Sequence, residues 1–123
     1  MSETTWNEQF RNRTKQLAIA IIKAYSKWKK TDEIKIIGKQ LIRSGTSVGA
    51  NYRAVCRARS DRERYAKLCI VVEEADETQF WLEILVESEL IKQEEVSNIR
   101  QEVEEIVKVM TTYKYRLEKN SAQ

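Results

Sequence analysis

The sequence predicts an all-α fold, an up-down-up-down antiparallel four-helix bundle, and three observations carry that expectation. The chain has no proline and only three glycines in 123 residues, with 33% of it charged, a composition rich in helix formers and poor in turn formers. Four segments of similar length repeat their apolar residues every three and four positions, the spacing of one buried helical face. The connectors between them are short, which favours antiparallel neighbours. A chain of 123 residues is the size of one domain, so residues 1–123 are read as a single unit.

In the first segment Phe10, Thr14, Leu17, Ala18, Ile21, Tyr25 and Trp28 share a face, which predicts a helix over residues 6–29. Thr31 or Asp32 can then accept from the free amides of a second helix, predicted over residues 32–59. Its apolar stripe is Ile34, Ile37, Leu41, Val48, Tyr52 and Val55, and its opposite stripe is Lys35, Lys39, Arg43, Arg53 and Arg57. At about 100° per residue neither stripe loses phase, so this helix reads as one unbroken rod. Ser60-Asp61-Arg62-Glu63 has the S-x-x-E form of a capping box and opens a third helix over residues 61–87. Tyr65, Leu68, Val72, Ala75, Leu82 and Leu85 keep helical spacing there, with Trp81 alongside. After a short connector, Val96, Ile99, Val103, Ile106, Met110, Tyr113 and Leu117 give an a/d pattern for a fourth helix over residues 93–118.

Gly38, Gly45 and Gly49 fall on one narrow edge of the second helix. A phosphate-cradling loop needs a preceding strand and a following G-K-[ST], both missing here. Close approach of another helix, or of another subunit, is the favoured reading, with Tyr52 and Trp81 as further packing residues. Cys56 and Cys69 are read as small buried thiols rather than a disulfide, since the start of the chain has no secretion signal. No stretch approaches the about 20 apolar residues of a membrane span, and a soluble, cytoplasmic protein is expected.

Charge is divided along the chain. Residues 1–70 hold 16 Lys and Arg against 6 Asp and Glu, whereas residues 71–123 hold 6 against 13. The halves should attract each other, within one bundle or between subunits. There is no histidine, which removes the commonest general base and the Glu-x-x-His pairs of bundle metal sites. Glu73, Asp76, Glu77 and Glu83 therefore read as a solvated or salt-bridged acidic face, and no catalytic residue, metal or cofactor is expected. Trp6, Trp28, Trp81, Tyr52 and Tyr113 lie mostly on apolar stripes, where packing is the common role and base stacking the rare one.

The run Gly38-Lys39-Gln40-Leu41-Ile42-Arg43-Ser44-Gly45-Thr46-Ser47-Val48-Gly49-Ala50-Asn51-Tyr52-Arg53-Ala54, with Cys56-Arg57-Ala58-Arg59-Ser60 after it, resembles the signature of the 23S rRNA-intervening-sequence proteins. Glu73-Glu74-Ala75-Asp76-Glu77-Thr78 and Trp81-Leu82-Glu83 fit the same pattern. The resemblance implies a bacterial four-helix bundle that assembles into a ring-shaped homopentamer and whose biochemical role is not established. The accessory variability determinant of diversity-generating retroelements, which associates with a reverse transcriptase and nucleic acid, is similar in architecture. No motif of this chain matches it closely, so its activity transfers only as an analogy of fold.

Two functions remain for the basic residues. In the first, the protein is a non-enzymatic, oligomeric module binding RNA or DNA electrostatically through Lys39, Arg43, Arg53, Arg57, Arg59, Arg62 and Arg64. In the second it is a scaffold in which the same arginines pair with Glu73, Glu77 or Glu83 of the next subunit, or with a client protein.

Overall fold

The structure is a computed structural model that describes residues 3–121. Four helices, α1 (Glu3–Lys27), α2 (Asp32–Cys56), α3 (Asp61–Glu87) and α4 (Ser97–Ser121), follow one another with a single 3₁₀ turn, Gln93–Glu95, before the last. They form an all-α four-helix bundle in which α2 packs on α3, α1 leans on α2, and α4 leans on α3. The α1–α4 seam is much the slightest of the four. Phe10, Leu17, Ile21, Leu41, Val48, Tyr52, Leu68, Leu82, Val103, Ile106 and Met110 fill the core from all four helices.

Side chains set most of the helix ends. α1 stops at Lys27, two residues short of the end expected at residue 29, where the Lys30 ammonium donates to the carbonyls of Tyr25 and Trp28, both at 2.6 Å. Thr31 caps α2 by accepting from the Ile34 amide at 3.2 Å. α2 ends at Cys56 rather than near Arg59: the Ala58 amide tightens onto the Val55 carbonyl, and Ser60 turns extended to cap α3. Ser60 Oγ accepts from the Glu63 amide at 3.1 Å, while the Glu63 carboxylate accepts from the Arg59 amide at 3.3 Å. The box is therefore closed one residue further back than its usual form. α4 begins at Ser97 and not at Gln93, since Lys92 to Val96 is taken up by the 3₁₀ turn.

α3 closes in a Schellman motif. The Glu89 amide donates to the Val86 carbonyl and the Leu90 amide to the Leu85 carbonyl, at 3.0 and 3.1 Å. Glu89 carries the left-handed backbone at φ 64 that this motif normally assigns to glycine.

The small-residue edge of α2 faces α1. Gly38, Gly45 and Gly49 are all buried, and a Cβ built on them would meet the Tyr25 ring at 2.2 Å, Ile21 Cδ1 at 2.4 Å and the Thr14 backbone at 3.4 Å respectively. Missing side chains let the two helices approach within the same chain. On the other side of α2, the wholly buried hydroxyls of Ser44 and Thr78 are 2.9 Å apart and share a hydrogen bond. That buried contact ties α2 to α3 in this register, and each hydroxyl also has a carbonyl acceptor one turn back in its own helix, Leu41 for Ser44 at 3.3 Å and Glu74 for Thr78 at 2.7 Å.

A candidate nucleic-acid interface at the α2–α3 corner

α2 is continuous through residues 44–50, so its cationic row is a real geometric stripe, with Lys35, Lys39, Arg43, Arg53 and Arg57 all exposed. Their surroundings differ. Arg43 donates to Glu74 at 3.1 Å and also to Glu77, whose carboxylate accepts from Trp81 Nε1 at 3.0 Å. It is a fastener between α2 and α3 of one chain, and Trp81, half-buried against the core, helps hold its partner. Arg64 is likewise occupied, donating to Asp61 at 2.6 Å and to the Ala58 carbonyl. Both guanidinium groups are engaged by acceptors of their own chain.

Lys39, Arg53, Arg57, Arg59 and Arg62 are exposed, and their side chains have no ion pair or hydrogen bond among the described residues. The last four straddle the α2–α3 turn. Their isolation has a sequence cause: residues 64–72, the part of α3 that runs back past the end of α2, contain no Asp or Glu. Asp61 and Glu63 are the acids of the turn itself, and they serve Arg64 and the Arg59 amide.

The attraction expected between the basic and acidic halves takes the form of two clamps. Arg13 of α1 donates through Nε and Nη2 to Glu102 of α4 at 2.7 and 2.8 Å and also reaches Glu105. This pairing, led by the hydrogen bond to Glu102, holds the Arg13 guanidinium above its usual range. Arg43 with Glu74 and Glu77 is the second clamp. Both run from the first half of the chain to the second, and the other ion pairs among the described residues lie within single helices. Glu73, Asp76 and Glu83 stay exposed on α3, around Phe80 at 49% exposure.

Asn7, invisible to spacing arguments, accepts from the hydroxyl of wholly buried Tyr52 at 3.1 Å. Burial pushes the Tyr52 phenol well above its usual range, so it remains a donor. Cys56 and Cys69 are free and only half-buried, less enclosed than expected. Among the described residues no group of three or more His, Cys, Asp or Glu could hold a metal ion. No described helix is long and apolar enough to cross a membrane.

The profile of the 23S rRNA-intervening sequence protein family matches residues 7–112. The chain belongs to that family. A solved structure agrees: a protein of unknown function from the S23 ribosomal protein family of Bacteroides thetaiotaomicron is 32% identical, with a TM-score of 0.79, over 89% of this chain and 97% of the other. No curated protein matches. Family membership brings the four-helix bundle and a name taken from intervening sequences of 23S rRNA. The profile spans both clamps and the whole α2–α3 corner.

Proposed function

We propose that this protein is a non-enzymatic helical module that binds RNA or DNA electrostatically at the α2–α3 corner. The observation that carries the reading is the contrast within one cationic row. Arg43 is paired with carboxylates of its own chain, whereas Arg53 and Arg57 of the row, with Arg59 and Arg62 of the turn beside them, are exposed and have no side-chain ion pair among the described residues. Keeping four unpaired guanidinium groups at one corner opposes folding through their mutual repulsion, and phosphate oxygens would relieve it with paired hydrogen bonds. Lys39 lies further along the same row and can extend the track. The cytoplasm is the compartment in which such a module would meet RNA.

Four phosphates neutralised by four arginines give a slope of about −3 to −4 in log affinity against log salt. The test is fluorescence anisotropy with labelled RNA and DNA between about 50 and 200 mM salt. Arg53→Glu with Arg57→Glu should remove most of the affinity and roughly halve the slope. No binding of any RNA or DNA at about 50 mM salt would falsify the reading.

A second reading is favoured by the exposed acidic face of α3 around Phe80. There the same arginines dock on Glu73 or Glu83 of a neighbouring copy, within the ring-shaped homopentamer that the family resemblance implies, and the ring serves as a scaffold for a client protein. The double charge reversal then converts the assembly to monomers in size-exclusion chromatography, and an unaltered elution volume excludes it.

A further inference from the structure

A cleft of about 610 Å³ opens where the first turns of α1 part from the last turns of α4, on the slightest seam of the bundle. Its walls are chemically selective. Trp6 and Tyr113 stand at 78° to each other with ring centroids 6.2 Å apart, and Trp6 is only half-buried although it stacks on Phe10. Lys108 and Arg116 line the α4 side, and Asn7 and Asn120 supply amides. Among the described residues no carboxylate lines the cleft. Lys108 has one weak partner, Glu104 at 3.4 Å, an exposed pair within its own helix.

The Asn7 amide is also oriented. Its Oδ1 is occupied by the Tyr52 hydroxyl, which leaves its two N–H donors for another group. An aromatic wall with cations on the rim and no acid suits a flat ring carrying a negative charge, and disfavours cationic peptide side chains. Asn7 as a donor, with Asn120 able to donate and accept, suits the edge of a nucleobase. The antiparallel arrangement puts this cleft at the same end of the bundle as the α2–α3 corner, since the start of α1, the end of α2, the start of α3 and the end of α4 meet there.

We infer that the α1–α4 cleft receives an unpaired nucleotide, its base against Trp6 and Tyr113 and its phosphate at Arg116 and Lys108. For a strand, the inference rests on the nucleic-acid reading above and makes the partner single-stranded. A base within a duplex is stacked on both sides and cannot enter.

The experiment compares a labelled 12-nucleotide single strand with a duplex of the same phosphate number, and in parallel titrates free adenosine monophosphate by tryptophan fluorescence. Thr112→Phe, at an exposed position on the lining, fills the cleft without touching the core, and Arg116→Gln weakens the phosphate end. The single strand should bind at least about fivefold tighter than the duplex, the factor that corresponds to ~1 kcal/mol of stacking for one base. Thr112→Phe should erase that preference while leaving duplex affinity unchanged. Adenosine monophosphate should change tryptophan emission in the wild type and not in Thr112→Phe, and ribose 5-phosphate should do neither. Equal affinity for strand and duplex, unaffected by Thr112→Phe, overturns the cleft and leaves the corner standing. If neither polymer binds, the nucleic-acid reading fails. The nucleotide titration then decides the cleft alone: a Thr112→Phe-sensitive response keeps it as a free-nucleotide site, and no response overturns it.

Discussion

Gly45 offers a test of the α1–α2 packing that separates two opposing effects. Alanine in place of a helical glycine gains about 1 kcal/mol of propensity. The added Cβ would lie 2.4 Å from Ile21 Cδ1 but 3.7 and 3.8 Å from Cγ1 and Cγ2, which is ordinary contact. Ile21 is wholly buried, so its terminal methyl must shift within the core, and overpacking of this kind costs about 1–3 kcal/mol. Gly45→Ala alone should therefore be destabilised by about 0–2 kcal/mol. Ile21→Val alone removes the one offending atom and should cost about 0.5–1.5 kcal/mol. The double variant exchanges one methyl for another, roughly conserving volume while keeping the propensity gain, and should sit within about 0.5 kcal/mol of the wild type or above it. The cycle then carries a favourable coupling of roughly 1–3 kcal/mol, readable by urea unfolding of the four proteins. Additive effects would show that Gly45 is not a contact point for Ile21, and the close-packing account of α2 would fail with it.

Other positions give further expectations. At Gly49 a Cβ meets the Thr14 backbone at 3.4 Å, so Gly49→Ala should be near neutral or gain up to ~1 kcal/mol, whereas Gly49→Leu should lower the melting temperature by at least 10 °C or so through overpacking of about 3 kcal/mol. Glu89→Gly should raise stability by about 1 kcal/mol, because it relieves the left-handed backbone of the Schellman motif; an unchanged thermal midpoint would show that Glu89 is not strained. Tyr52 has its folded-state pKa raised above the ordinary 10.0, so its contribution is complete below pH 10 and is lost as pH rises further. Stability should fall by about 1.4 kcal/mol per pH unit above that point, and Tyr52→Phe should flatten this alkaline limb in denaturant titrations despite losing the Asn7 hydrogen bond.

The parts of the molecule written in local patterns were legible from sequence. The four apolar repeats depend on residues three and four apart, and Ser60 with Glu63 makes a cap from four consecutive positions. Helix ends made by reaching back were not: nothing in the spacing reveals that Lys30 would seize the carbonyls of Tyr25 and Trp28. The fate of each arginine was hidden for another reason. Arg43 and Arg53 occupy one stripe and look equivalent, but only the antiparallel register in which Ser44 meets Thr78 brings carboxylates to the first and none to the second. The α1–α4 cleft did leave a trace. Lys108, Thr112, Arg116 and Asn120 recur at every fourth position, in a stretch from 106 to 117 that has no Asp or Glu. On spacing alone such a row is indistinguishable from a solvated face, because the helix it borders, α1, lies about a hundred residues earlier in the chain.

The slight α1–α4 seam has a mechanical consequence. With α2 and α3 locked by a buried hydroxyl pair and an arginine clamp, those two helices act as a keel. The α1 helix packs on it along the glycine edge and meets α4 through the Arg13 clamp and the Trp6–Tyr113 ring contact. Leu17 and Ile21, buried in the core, keep the middle of α1 seated on that keel, so strain at the slight seam falls on the first turns of α1, beside Trp6.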